Sequence, residues 1–185
     1  MKAALPNLLT VARLVAVPVI VILMIAQTDT TRWWALAVFV VAAGTDYLDG
    51  YLARRWNVIS TVGKLADPIA DKALVLTTLL MLVILDSVPW WPLAVLAVRE
   101  VAITVGRLSV AKDVVIAASP GGKLKTMLQL AAITLYLIPH SPLWVDTVAL
   151  VLLIAAVIVA VVTGIDYGKR IASAAKEATR RGRTH

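Results

Sequence analysis

The sequence predicts an all-α, polytopic membrane protein with six transmembrane helices, and three observations carry that prediction. The 185 residues are 61% hydrophobic and only 16% charged, whereas a soluble domain carries about 25% charged residues. The apolar residues are gathered into runs close to the roughly 20 residues needed to cross a bilayer. Prolines and glycines punctuate the joints: Pro89 and Pro92, Pro120-Gly121-Gly122, and Pro139 with Pro142.

The first span, roughly 8–27, follows Lys2 and contains Arg13. It is longer than the apolar core of a signal peptide, about 7–15 residues, and no convincing small-residue cleavage site follows it, so it reads as a retained helix. The second, roughly 33–56, opens on Trp33-Trp34 and closes on Arg54-Arg55. The third, roughly 67–88, follows Lys64 and ends before Pro89; Pro68 falls in its first turn, where a missing N–H is tolerated. The fourth, roughly 91–112, carries Arg99, Glu100 and Arg107. The fifth, roughly 123–138, opens on Lys123 and Lys125 after the Pro-Gly-Gly break, and the sixth, roughly 143–167, is almost purely aliphatic. From about 169 the chain reads as a short basic helix or tail, of the kind that attracts anionic headgroups. No internal repeat and no separate soluble domain is visible, so residues 1–185 read as one membrane domain.

The net charge is +7. In a soluble protein such a balance would point to nucleic acid. Here the cations sit between apolar runs and in the tail, which fits topology and anionic lipid instead. An even number of spans puts both termini on one side. That side receives Lys2, Arg54, Arg55, Lys64, Arg107, Lys112, Lys123, Lys125 and Lys169 through Arg183, while the other receives Arg32 and little else. The positive-inside rule therefore predicts cytoplasmic termini, and Trp33, Trp34, Trp90, Trp91 and Trp144 form an aromatic belt at the far interface. With no cysteine in the chain, disulfides and thiolate chemistry are excluded.

Four carboxylates stand out, because an ionised group in a bilayer costs at least about 2.5–3.5 kcal/mol. Asp46 and Asp49 lie near the end of the second span, Asp67 and Asp71 at the start of the third. Residues three and four apart share a helix face. Asp46, Asp49, Gly50 and Ala53 therefore form one stripe, and Gly63, Asp67 and Asp71 another. Taken singly, any of these aspartates reads as an interfacial partner of Arg54, Arg55, Lys64 or Lys72. Together, facing one cavity, they would repel one another unless protonated or bridged by cations. Hard oxygen donors without Cys or His nearby suit Mg²⁺ or Mn²⁺. Gly50 and Ala53 keep bulk off the same face, so a phosphorylated ligand can approach the backbone.

Asp46-x₂-Asp49-Gly50-x₂-Ala53-Arg54-x₈-Gly63-x₃-Asp67-x₃-Asp71 resembles the signature of the CDP-alcohol phosphatidyltransferases at every fixed position. The resemblance implies a six-helix membrane fold, a homodimer, and a site open to the cytoplasm and the bilayer. It implies that Asp46, Asp49, Asp67 and Asp71 hold two divalent ions, that Gly50, Ala53 and Arg54 line the CDP site, and that Asp71 is the general base. Softer motifs resemble the bacterial phosphatidylglycerophosphate synthase branch: Asn7-Leu8-Leu9-Thr10-x₂-Arg13 with Pro18, Asp67-Pro68-Ile69-Ala70-Asp71-Lys72, Arg99-Glu100-Val101 and Gly122-Lys123-Leu124-Lys125-Thr126. Cardiolipin synthases share some of them, and the phosphatidylinositol-phosphate synthases are more distant.

On that resemblance the donor is CDP-diacylglycerol and the acceptor glycerol 3-phosphate, in a bacterial cytoplasmic membrane. An acceptor that carries a phosphate needs cations. Arg99, Arg107 about two turns further along the same face, and Lys123 and Lys125 beside the N–H groups of a helix start are the candidates. Positive-inside topology is an alternative account of Arg107, Lys123 and Lys125, and pairing with Glu100 is an alternative account of Arg99. His140, His185, the methionines and Asp166 lie outside the expected site. Two other classes compete: a prenyltransferase holding a diphosphate on Asp-rich motifs, and a cation-coupled transporter. A transporter should show repeats around a mid-membrane site, whereas these carboxylates cluster at one end.

Overall fold

The computed structural model describes residues 4–56, 61–85, 87–110 and 120–182; the side chains of 4–9, 46–56, 61–69, 71, 107–110, 120, 170–172 and 174–182 lie outside the described set. Among the described residues there are six helices and no strands. They are α1 (Ala4–Ile25), α2 (Asp29–Trp56), α3 (Thr61–Ile84), α4 (Trp90–Val110), α5 (Pro120–Tyr136) and α6 (Leu143–Gly182). The order and number match the six predicted runs, but several ends move. Helices α2 and α3 begin on polar residues, and α5 on Pro120-Gly121-Gly122, upstream of their apolar stretches, because capping and turn residues set a helix start. Thr28 and Thr31 show this at α2: Thr31 N donates to Thr28 Oγ1 and Thr28 N to Thr31 Oγ1, both at 3.2 Å, which is a reciprocal cap. Gln27, with φ of 51°, supplies the left-handed residue that stops α1. The basic tail is not a separate helix but the continuation of α6, which runs for 40 residues. Because α3 starts at Thr61, Pro68 lies in its interior rather than its first turn, where it withholds a donor from the carbonyl four residues back.

The chain forms two compact units: residues 1–89 with 130–150, and residues 90–129 with 151–185. In the first, α1 packs against both α2 and α3. The buried stripe of α1 is Thr10, Arg13, Ala16, Ile20 and Met24, that of α2 Ala35, Phe39 and Ala42, and that of α3 Ala70, Leu74, Thr78 and Leu82. These spacings of three and four are one face of a helix. Arg32 ties this unit together, donating from Nη2 to Ser87 Oγ at 3.2 Å and to the Tyr136 carbonyl at 3.0 Å. In the second unit Pro92, Leu96 and Ile103 are buried on α4, Lys125 and Gln129 on α5, and Leu153, Ala156, Ala160 and Tyr167 on α6.

The opposite faces remain apolar. Val11, Val15, Ile22 and Ile25 on α1, Val98, Val101 and Val105 on α4, and Val151, Ile158, Val162 and Ile165 on α6 are all exposed. Among the described residues one helix is long and apolar enough to cross a membrane, Leu143–Lys169, with shorter apolar stretches at Thr10–Ile25 and Lys72–Ile84.

Candidate active site

The four aspartates lie on helical backbone. Asp49 and Asp46 stand seven and ten residues before the end of α2, and Asp67 and Asp71 six and ten residues after the start of α3. At 1.5 Å per residue both pairs are about 9–15 Å along their helices from the α2–α3 joint. Register carries a second message. Positions 35, 39 and 42 are the buried stripe of α2, and the same spacing continues to 46, 49 and 53. On α3, positions 67 and 71 share the stripe of buried Ala70 and Leu74. By helical register both pairs are in line with the buried residues of α2 and α3, two helices that share α1 as a neighbour. The side chains of Asp46, Asp49, Gly50, Ala53, Arg54, Asp67 and Asp71 themselves lie outside the described residues.

The described neighbours of this region add a cation. Arg13 is 1% exposed and lines an apolar groove between α1 and α2 that reaches Thr45, the residue before Asp46. The groove has a volume of about 420 Å³ and includes Val15, Val19, Trp34 and Val41. In the sequence Arg13 is only a charge in an apolar run; its place on the buried stripe of α1 is what brings it near the second helix. Thr45 itself is held by its hydroxyl, which donates to the Ala42 carbonyl at 2.7 Å.

The second unit holds a charged network on three helices. Arg99 Nη1 on α4 and Lys125 Nζ on α5 both donate to Glu100 Oε1, each at 2.7 Å. All three side chains are largely buried, with 15%, 9% and 12% exposure for Arg99, Lys125 and Glu100. Arg99 Nη2 also donates to Thr163 Oγ1 on α6 at 3.3 Å, and that hydroxyl donates in turn to the Val159 carbonyl at 2.7 Å. Small residues permit the assembly. The stem of Arg99 lies on Gly164, and a Cβ at Gly121 would overlap the methyl of Thr163, so only glycine lets the start of α5 approach α6 there. Arg99 Nε is buried and has no hydrogen-bond partner among the described residues; a buried donor left unpaired calls for an explanation.

Of the four cations predicted for the acceptor, the structure brings Arg99 and Lys125 together. Lys123, two positions from Lys125 and hence on another side of α5, is exposed, and the Arg107 side chain lies outside the described residues. The alternative pairing of Arg99 with Glu100 is present, but it is half of the arrangement. Sequence reading did not give Lys125 to Glu100. The available signal was the cost of a lone carboxylate in an apolar helix, which one adjacent arginine rarely offsets.

The chain belongs to the CDP-alcohol phosphatidyltransferase family, whose model matches residues 3–162. Among its curated relatives, a probable phosphatidylglycerophosphate synthase of Mycobacterium tuberculosis is 42% identical over 172 residues, covering 91% of this chain and 81% of the relative. A CDP-diacylglycerol–glycerol-3-phosphate 3-phosphatidyltransferase of Bacillus subtilis is 38% identical over 154 residues, 75% of this chain and 78% of the relative. The protein of the same name from Shigella flexneri is 33% identical over 173 residues, 90% of this chain and 94% of the relative.

Proposed function

We propose that this enzyme transfers the phosphatidyl group of CDP-diacylglycerol to sn-glycerol 3-phosphate, giving phosphatidylglycerophosphate and CMP. The observation that carries the reading is the aspartate pattern of α2 and α3. Eight residues of the family signature fall on helical backbone, and both aspartate pairs are in helical register with the buried residues of their helices. The names of the relatives support the choice of glycerol 3-phosphate.

In the proposed mechanism the hydroxyl of the acceptor attacks the phosphorus that bears diacylglycerol, the bond to CMP breaks, and CMP leaves. Asp71 takes the hydroxyl proton. Gly50 and Ala53 keep the approach to the nucleotide open, and Arg54 supplies a cation to its phosphates. An all-oxygen donor set of Asp46, Asp49, Asp67 and Asp71 fits two Mg²⁺ or Mn²⁺ ions. When bound, they would neutralise the pyrophosphate and the departing charge. Arg99 and Lys125 receive the phosphate of the acceptor, and the unpaired Nε of Arg99 fits that use. Arg107 and Lys123 add positive charge around it. Direct displacement follows from the residues available, since the chain has no cysteine and its only histidines are His140 and His185.

The proposed setting is the cytoplasmic membrane of a bacterium, with six spans, both termini in the cytoplasm, and a homodimer as the working assembly. The exposed aliphatic faces of α1, α4 and α6 support burial in lipid, because large exposed apolar patches mark membrane or protein contacts. Cation-rich connections on one side support the orientation.

Purified protein in detergent, given CDP-diacylglycerol, Mg²⁺ and labelled glycerol 3-phosphate, is expected to release CMP and form a labelled phospholipid. CMP release only with phosphatidylglycerol or inositol phosphate would move the protein to another branch of the family. No release with any alcohol would overturn the reading.

A further inference from the structure

We infer that Glu100 is a positioning residue for acceptor recognition: its single oxygen Oε1 sets Arg99 and Lys125 side by side as a pair of phosphate donors. The inference rests on the reading above, that these two cations receive the phosphate of the acceptor. Both cationic nitrogens lie 2.7 Å from that oxygen, so they are no farther apart than twice this distance. Two oxygens of one phosphate, each accepting a charged hydrogen bond of about 2.8 Å, span such a gap.

The two cations differ in chemistry. Arg99 has a planar fork, a second anchor at Thr163 and a stem laid on Gly164. Lys125 reaches in from another helix on a flexible four-carbon stem. Its backbone is brought close because Gly121, one turn earlier on the same face of α5, sits against Thr163. Its ammonium donates to Glu100 Oε1. Without the carboxylate, two like charges this close in apolar surroundings repel, and the mobile partner is the one that moves. Glu100 therefore governs the spacing of the pair, and through it the affinity for a phosphate, without touching the reacting atoms.

The test is steady-state kinetics of the full chain in detergent with CDP-diacylglycerol and Mg²⁺, comparing wild type with Glu100→Gln, Glu100→Asp and Arg99→Gln. Glu100→Gln is expected to raise KM for glycerol 3-phosphate about tenfold, the loss of one charged hydrogen bond. Its kcat at saturating acceptor and its KM for CDP-diacylglycerol should stay within about twofold, since neither depends on the pair. Glu100→Asp keeps the charge on a shorter stem and should fall between. An unchanged KM for the acceptor overturns the inference. A lowered one does too, because it would make Glu100 a competitor of the phosphate. A parallel loss in kcat and in both KM values, reducing Glu100 to a structural ion pair, also overturns it. Should Glu100→Gln fail to fold, Glu100→Asp decides by the same split. If Arg99→Gln raises the KM and the Glu100 variants do not, the acceptor reading stands and this inference falls; if neither changes it, the acceptor reading itself fails.

Discussion

The aspartates of α2 and α3 and the cations of α4 and α5 illustrate two ways in which a site is written into a chain. The first group is local. Its members are three and four residues apart on two consecutive helices, so spacing alone aligns them. The second is assembled from Arg99, Glu100, Lys125 and Thr163 on three helices, and Thr163 is 64 residues from the arginine it accepts from. A local pattern announces its chemistry, since four neighbouring carboxylates call for protons or bridging cations. A dispersed one conceals it, since Lys125 also fits positive-inside topology and Arg99 also fits pairing with Glu100 alone. The contrast also divides the labour of the proposed reaction, with chemistry at the aspartates and recognition of the acceptor at the cations.

That division gives graded expectations. Asp71→Asn should cost the most, lowering kcat by roughly 10²–10⁴, the usual contribution of a positioned general base, with the thermal midpoint in detergent almost unchanged. Near-normal turnover would remove Asp71 from the base role. Arg99→Gln should act instead on KM for glycerol 3-phosphate, raising it about 10- to 100-fold, the range expected for losing hydrogen bonds to a charged group. A loss confined to kcat would erase the distinction between the two regions. Arg32→Ala removes the bonds to Ser87 and the Tyr136 carbonyl. It should lower unfolding stability by about 1–3 kcal/mol while leaving both KM values alone, which denaturation and kinetics of the same preparation will separate. Lys123→Gln is the mildest. This exposed residue should change the acceptor KM by no more than about twofold, as befits a solvated charge, against a much larger effect of Lys125→Gln.

Much of the fold was legible because each helix contains an apolar run, and the last three joints carry Pro or Gly breaks. The ends were not, because starts such as Thr28–Thr31 are set by caps and turns outside the apolar stretch. The misplaced turn of Pro68 has the same origin. Helix α3 begins at Thr61, ahead of Lys64, Asp67 and Asp71, so its polar first turns precede the apolar run that marks the span in the sequence. In the site, the proposed metal and nucleotide residues rest on spacing and the resemblance it supports. The partnership of Glu100 with Lys125 and the burial of Arg13 against α2 required the packed helices, since neither pair of positions is related by helical period.

The division of labour is tested most directly by CMP release from CDP-diacylglycerol for wild type, Asp71→Asn and Arg99→Gln as glycerol 3-phosphate is raised to saturation. Arg99→Gln should recover most of the wild-type rate at high acceptor, and Asp71→Asn should stay near zero at every concentration. Recovery of Asp71→Asn, or an Arg99→Gln defect that no concentration of acceptor relieves, would contradict it.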